Sequence, residues 1–207
     1  MLNDVFMSLA MVTEKAEKDI ISRPPVIRNK DHLLNLKLLL HAYGIIGNIE
    51  CFTAFFCFFY YLMDQRLPFY SIVFQFQNFY KKNSQFTQDQ LNVMVFTGQS
   101  VYYCSMCLMQ FFNFFTTRTR HTSFFKHNPF YGKGQNLYVF ISMAASAGTQ
   151  LIVTQVHWFN RVFSTGPVPV KYVMPTLGFG LAWFITDELR KLYIRKFPRS
   201  FLARIAW

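Results

Sequence analysis

At 207 residues the chain has the length of one soluble domain or perhaps two, but its composition argues against a soluble fold. It is 52% hydrophobic, contains 26 Phe and is only 15% charged, against about 25% charged in an average globular domain. The net charge of +11 sits on residues that flank apolar runs, so it reads as membrane orientation and not as a nucleic-acid surface.

The opening "MLNDVFMSLAMVTEKAEKDIISRPP" reads as the second half of a span leaving the membrane. Asp4 lies within its apolar part, "TEKAEKD" is expected to be a solvated charged face, and Pro24-Pro25 stops any helix. An acid replaces the basic n-region of a signal peptide, and no small-residue cleavage pattern follows. Such an opening is expected of a piece of a longer protein.

Three stretches then pass with almost no charge: Lys37 to Asp64, interrupted only by Glu50, then Asp89 to Arg118, then Lys133 to Arg161. Each exceeds the roughly 20 residues that a helix needs to cross a hydrocarbon core. A fourth run, Tyr172 to Thr186, reaches that length only if "GPVPVK" lies at the interface. In the first span, Gly44 and Gly47 permit close helix approach, and Phe and Tyr follow in bulk. Glu50 is either a functional carboxylate or an interhelical hydrogen-bond partner. The aromatic and polar region from Asp64 to Gln90 is expected on the extracytosolic side.

In the second span Gln110 and Asn113, three residues apart, share one helix face. Their amides must find partners, either on another helix or on a dehydrated cation. The third span carries the small-residue run Ser142 to Thr149, a packing face. All four cysteines (Cys51, Cys57, Cys104, Cys107) fall inside spans, which makes disulfides unexpected, and Cys104-x-x-Cys107 has no second ligand pair at zinc spacing.

Segments before, between and after the spans hold Lys and Arg alternately in excess, sixteen against five. The positive-inside rule then places both termini in the cytosol. The expected fold is an all-α membrane protein: residues 1–37 form the end of a transmembrane helix and a cytosolic loop, and residues 38–207 form four transmembrane helices. The acid pair Asp187-Glu188 stands where the last apolar run meets the basic tail. Acids are disfavoured at a helix C-terminus, so the helix is expected to continue into the cytosol. There Asp187 can meet Arg190 or Lys191 at i+3 or i+4, or the pair can reach a neighbouring loop.

Three segments carry a family resemblance. "DELRKLYIRKFP" resembles the D-E-x-R-K-x-x-I-R-R-x-P segment that closes the last membrane helix of sodium/potassium-type P-type ATPases. "EKAEKDIISRPP" is similar to the loop after that family's sixth helix, E-x-A-E-x-D-I-x-x-R-x-P, and "HAYGIIGNIE" to the opening of its seventh. They occur in the family's order and cover the chain from end to end. The resemblance implies the seventh to tenth helices, with the end of the sixth, of a pump that couples ATP hydrolysis through an aspartyl phosphate to cation exchange. The implied partners are the pump's remaining helices and cytosolic domains, and membrane lipid; the implied location is the plasma membrane.

By the same resemblance Asp4 falls on the second aspartate of the D-x-x-T-D-x-x-P ion-binding turn, with Met7 at the proline position. Gln110 matches a glutamine near the third sodium site, and Asn113 stands where the family has aspartate. The ninth helix has Ala144-Ala145 in place of a glutamate pair, so sodium/potassium stoichiometry is not carried over. The S-Y-G-Q contact with the accessory β-subunit corresponds to "KKNS", Lys81 to Ser84, and that partner's motif is lost. Arg120 and Ser123 overlay a phosphorylation motif, R-R-x-S, with one arginine of the two. ATP and Mg2+ are implied for a full-length pump and no cofactor for this chain, which contains no D-K-T-G loop, phosphate cradle, or nucleophile with a partnered base. The alternative reading is a stand-alone four-span assembly or binding protein derived from a pump.

Overall fold

The computed structural model describes residues 2–15, 35–75, 78–119, 122–127, 130–131 and 135–200, with side chains from Val5 onward. Residues 16–34, most of the expected cytosolic loop, and Arg120 lie outside the described residues. Among the described residues there is no strand. In chain order the elements are α1 (Leu2–Val12), α2 (Leu36–Leu39) running through a π-helical stretch (Leu40–Gly47) into α3 (Asn48–Asp64), α4 (Phe69–Ile72), α5 (Phe79–Lys82), α6 (Gln88–Thr117), α7 (Leu137–Gln155), α8 (His157–Phe163) and α9 (Val170–Lys196).

Local chemistry sets several boundaries. Asn35 caps α2 by accepting from the Lys37 amide at 3.4 Å. Thr87 and Gln90 form a reciprocal capping box that starts α6: Gln90 Oε1 accepts from the Thr87 amide (3.1 Å) and Thr87 Oγ1 from the Gln90 amide (3.4 Å). The π-helical turn widens the ladder and leaves carbonyls short of their usual partners. The Asn48 side chain meets two of them, donating to Gly44 O at 2.7 Å and Tyr43 O at 3.2 Å. Ser164, in the left-handed region with φ 51°, ends α8.

Two of the four expected spans have both the length and the apolarity to cross a bilayer: Leu36–Asp64 and Leu137–Gln155. The other two helices are long, 30 residues in α6 and 27 in α9, or about 45 and 40 Å at 1.5 Å per residue. They fall short on composition alone. α6 carries Gln, Asn, Ser and Thr along its length, several of them buried, and α9 includes the charged stretch from Asp187 to Lys196. α9 does not stop at Thr186, so the acid pair lies inside the helix, as its electrostatics require.

The chain divides into two compact units. The first comprises Met1–Ile49, Gln110–Ser146 and Gly180–Trp207; the second comprises Glu50–Met109 and Ala147–Phe179. In the second unit Cys57, Tyr61 and Leu62 of α3, Leu67, Leu91 and Val101 of α6, and Tyr172 of α9 form the core. Cys57 Sγ lies 3.3 Å from Thr176 Oγ1, and Asp64 accepts from Tyr172 Oη (2.5 Å) and Lys171 Nζ (3.1 Å). In the first unit Met7 and Ala10 of α1 pack with Phe114 of α6 and Val139 of α7, flanked by Phe111, Phe115 and Met143. Apolar side chains such as Phe52, Val93, Leu151 and Ile185 remain exposed, as lipid-facing positions do.

Gly180 is a close-approach position, because a Cβ there would collide with the ring of Phe112. Gly178, two residues earlier, faces open space. Gly180→Ala is expected to destabilise by about 1–3 kcal/mol through overpacking. Gly178→Ala is expected to be neutral or to stabilise by up to about 1 kcal/mol. Thermal unfolding of both variants in one detergent checks the contrast.

Candidate functional site

Three groups of polar residues stand in the first unit. The first is on α6. Gln110 and Asn113 are both half-buried, on one face of a helix whose adjacent positions Phe111 and Phe114 pack against Met7 and Ala10 of α1. Asn113 is held within its own helix: its carbonyl accepts from Thr116 Oγ1 (2.8 Å) and Thr117 Oγ1 (3.0 Å), and its Oδ1 lies 3.4 Å from Thr116 Oγ1. Asp4 falls within α1, but its side chain lies outside the described residues.

The second group is the acid pair of α9. Asp187, only 2% exposed, receives Arg190 on Oδ1 (Nη2 2.7 Å, Nε 2.8 Å) and Lys191 on Oδ2 (2.8 Å). These are the i+3 and i+4 partners that the spacing predicts. Glu188 turns to a different element. Its Oε2 accepts from Ser123 Oγ at 2.6 Å and its Oε1 from the Phe124 amide at 2.9 Å, which fastens α9 to the segment that follows α6. The Phe124 ring meets Phe115 and Phe184 edge-on, with centroids 5.6 and 5.2 Å apart. Ser123, the residue of the phosphorylation-like motif, is buried with its hydroxyl committed to Glu188.

The third group was not expected. Glu14, assigned from the sequence to a solvated charged face, is largely withdrawn from water among donors. Oε1 pairs with the Arg118 guanidinium and lies 3.1 Å from His127 Nε2, and Oε2 accepts from Asn136 Nδ2 at 3.1 Å. Asn136 also donates to Thr13 Oγ1 and, through Oδ1, accepts the Tyr138 amide at the start of α7. One carboxylate thus joins the residues after α1 to both ends of the segment between α6 and α7. Burial alone would raise the Glu14 pKa, but hydrogen bonds from Arg118 and Asn136, the Arg118 charge and the His127 contact outweigh it and hold the carboxyl below its ordinary value of 4.5.

Residues 1–193 match the family described as Cation transporting ATPase, C-terminus. The chain belongs to that family. It is similar to sodium/potassium-transporting ATPase subunit alpha-4 of Homo sapiens, with 23% identity over 97% of this chain and 20% of the relative. It is likewise similar to potassium-transporting ATPase alpha chain 2 of Homo sapiens (25%, over 95% and 19%) and to sodium/potassium-transporting ATPase subunit alpha of Hydra vulgaris (27%, over 97% and 20%). The chain spans about one fifth of the length of these relatives.

As a member of the cation-transporting P-type ATPase family the chain is a membrane protein, and its polar groups are to be read in that setting. Among the described residues no three His, Cys, Asp or Glu side chains gather closely enough to hold a metal ion. α6 offers a cation amide, hydroxyl and carbonyl oxygens, and α9 offers carboxylates. Glu14 is one of three acids in the charged stretch "TEKAEKD", and nothing local in the sequence distinguishes it from Glu17 or Asp19.

Glu14→Gln removes the negative charge that the buried Arg118 guanidinium meets at Oε1, a change expected to cost about 3 kcal/mol near neutrality. Because the folded pKa is depressed, the contribution of Glu14 is complete above the unfolded value and is lost as pH falls through the folded one. The stability gap between wild type and Glu14→Gln, measured by thermal unfolding, should be widest above about pH 5 and narrow below about pH 4.

Proposed function

We propose that this chain forms the end of the sixth helix and the seventh to tenth helices of a sodium/potassium-type cation pump, as the support on which the ion-binding helices pack. In this reading the protein crosses the membrane four times after α1, with both termini in the cytosol and the plasma membrane as its location. The observation that carries the reading is the clamp at the end of α9. The segment that resembles the family's closing motif places Glu188 on Ser123 and Phe124, so the last helix is tied to the segment after α6 by the residues on which the resemblance rests.

ATP hydrolysis, with its Mg2+, belongs in this reading to cytosolic domains outside this sequence, and the chain contributes packing and ligands. Asp4, Gln110 and Asn113 are the residues proposed to face the cation. Amide oxygens can ligate a dehydrated cation by their dipoles, but they supply no net charge, and Ala144-Ala145 supplies none on α7. A site built this way holds a monovalent cation more weakly than one with carboxylates at those positions. The accessory β-subunit is proposed only as a partner that would have to bind without its usual S-Y-G-Q contact, since Lys81 to Ser84 stand there.

A chimera tests the proposal. The corresponding region of a full-length sodium/potassium-type relative is replaced by this chain, and cation-dependent phosphoenzyme formation is measured. The chimera is expected to form phosphoenzyme with reduced apparent sodium affinity, and Asn113→Asp is expected to restore roughly tenfold of it, about 1.4 kcal/mol. A chimera that assembles but never phosphorylates would argue for a stand-alone assembly module. An unchanged affinity in Asn113→Asp would make Asn113 a packing residue.

A further inference from the structure

Among the described residues, Lys191 has the largest side chain wholly removed from solvent. A buried ammonium is retained only when its charge and its protons are met, and four oxygens meet this one. Nζ lies 2.8 Å from Asp187 Oδ2, 2.8 Å from the Thr116 carbonyl, 3.3 Å from Thr119 Oγ1 and 3.8 Å from Glu188 Oε1. The Thr116 carbonyl belongs to the last turn of α6, where carbonyls lack intrahelical partners and the helix dipole is negative. Carboxylate, carbonyl and hydroxyl oxygens converging on one positive centre are the ligand chemistry of a dehydrated alkali cation, and an ammonium group is close to potassium in size.

Within α9 the charges that meet at this position balance when the lysine is present. Asp187 and Glu188 bring two negative charges, and Arg190 and Lys191 two positive ones. Asp187 Oδ1 is taken by Arg190, while buried Oδ2 accepts no hydrogen bond beyond its ion pair with Lys191. Removing the ammonium would leave Asp187 Oδ2 without its ion pair, facing the Thr116 carbonyl and the Thr119 hydroxyl.

We propose that Lys191 is a tethered cation: its ammonium fills an oxygen cage built by Asp187, Thr116 and Thr119 that would otherwise take a monovalent metal cation, and so closes that site to diffusible ions. A lysine serving only as structural glue would fill the same position without making the vacated cage cation-selective.

Two variants separate these cases. Lys191→Ala opens the cage; Lys191→Met fills most of its volume without charge. Thermal unfolding of the full chain in detergent is followed in potassium chloride, sodium chloride and N-methylglucamine chloride at equal ionic strength. Wild type and Lys191→Met should unfold at the same temperature in all three. Lys191→Ala should be destabilised in N-methylglucamine and rescued by potassium or sodium, saturably and by several degrees, since a ligand that binds only the folded state raises stability with its concentration. A Lys191→Ala chain that folds only with the alkali cation counts as the same rescue. A Lys191→Ala chain equally stable, or equally unfolded, in all three salts overturns the proposal, as does a cation response of the same size in Lys191→Met.

Discussion

A carboxylate withdrawn from water must be matched by donors, and the first unit is organised around that constraint. Glu14, Asp187 and Glu188 are all largely buried, and each is answered by a different set: guanidinium, imidazole and amide for Glu14, two flanking cations for Asp187, and a hydroxyl and a backbone amide for Glu188. Breaking a buried pair by removing one partner costs about 3–5 kcal/mol, far more than the pair adds over an apolar substitute. Such groups therefore fix geometry more than they add stability. They hold particular backbone segments together: the residues after α1 with both ends of the segment between α6 and α7, and α9 with the segment after α6.

The contrast with the second unit is informative. There Asp64 pairs with Lys171 at 3.1 Å, with the two side chains 42% and 61% exposed. Water competes for both groups, so such a pair adds little to stability. The cohesion of that unit comes from its core of Cys57, Tyr61, Leu62, Leu67, Leu91, Val101 and Tyr172, with edge-to-face ring contacts such as Tyr61 on Tyr172 at 5.0 Å. One unit is positioned by charges and the other by aromatic packing, although similar helices supply both.

What the sequence discloses follows the reach of each interaction. The pairing of Asp187 with Arg190 and Lys191 is local, fixed by the helical repeat, and was readable from three letters of spacing. A neighbouring loop was one of the alternatives the spacing left open for the pair, and Glu188 takes it. Glu14 was misread as solvated because its partners lie 104, 113 and 122 residues away, and no local pattern announces a contact of that range. The π-helical turn at Leu40–Gly47 was missed for a related reason: Gly44 and Gly47 fit close helix packing as well as a widened turn, and the deciding interaction is the Asn48 side chain on two carbonyls. Of the four expected spans, two lacked the apolar composition of a lipid-embedded helix. The polar side chains of α6 are in good part turned into the protein, a fact hydropathy along one chain does not contain.

The same charge balance bears on why α6 carries amides. In the first unit Glu14 is offset by Arg118, and Asp187 with Glu188 by Arg190 with Lys191. A carboxylate at position 113 would stand one turn from Thr116, whose carbonyl already holds the Lys191 ammonium, with its charge unanswered by any of these pairs. Asparagine keeps the oxygen and omits the charge, so the helix can be half-buried there without importing an ion. A carboxylate at that point would amount to a demand for a cation; the amide makes a cation optional.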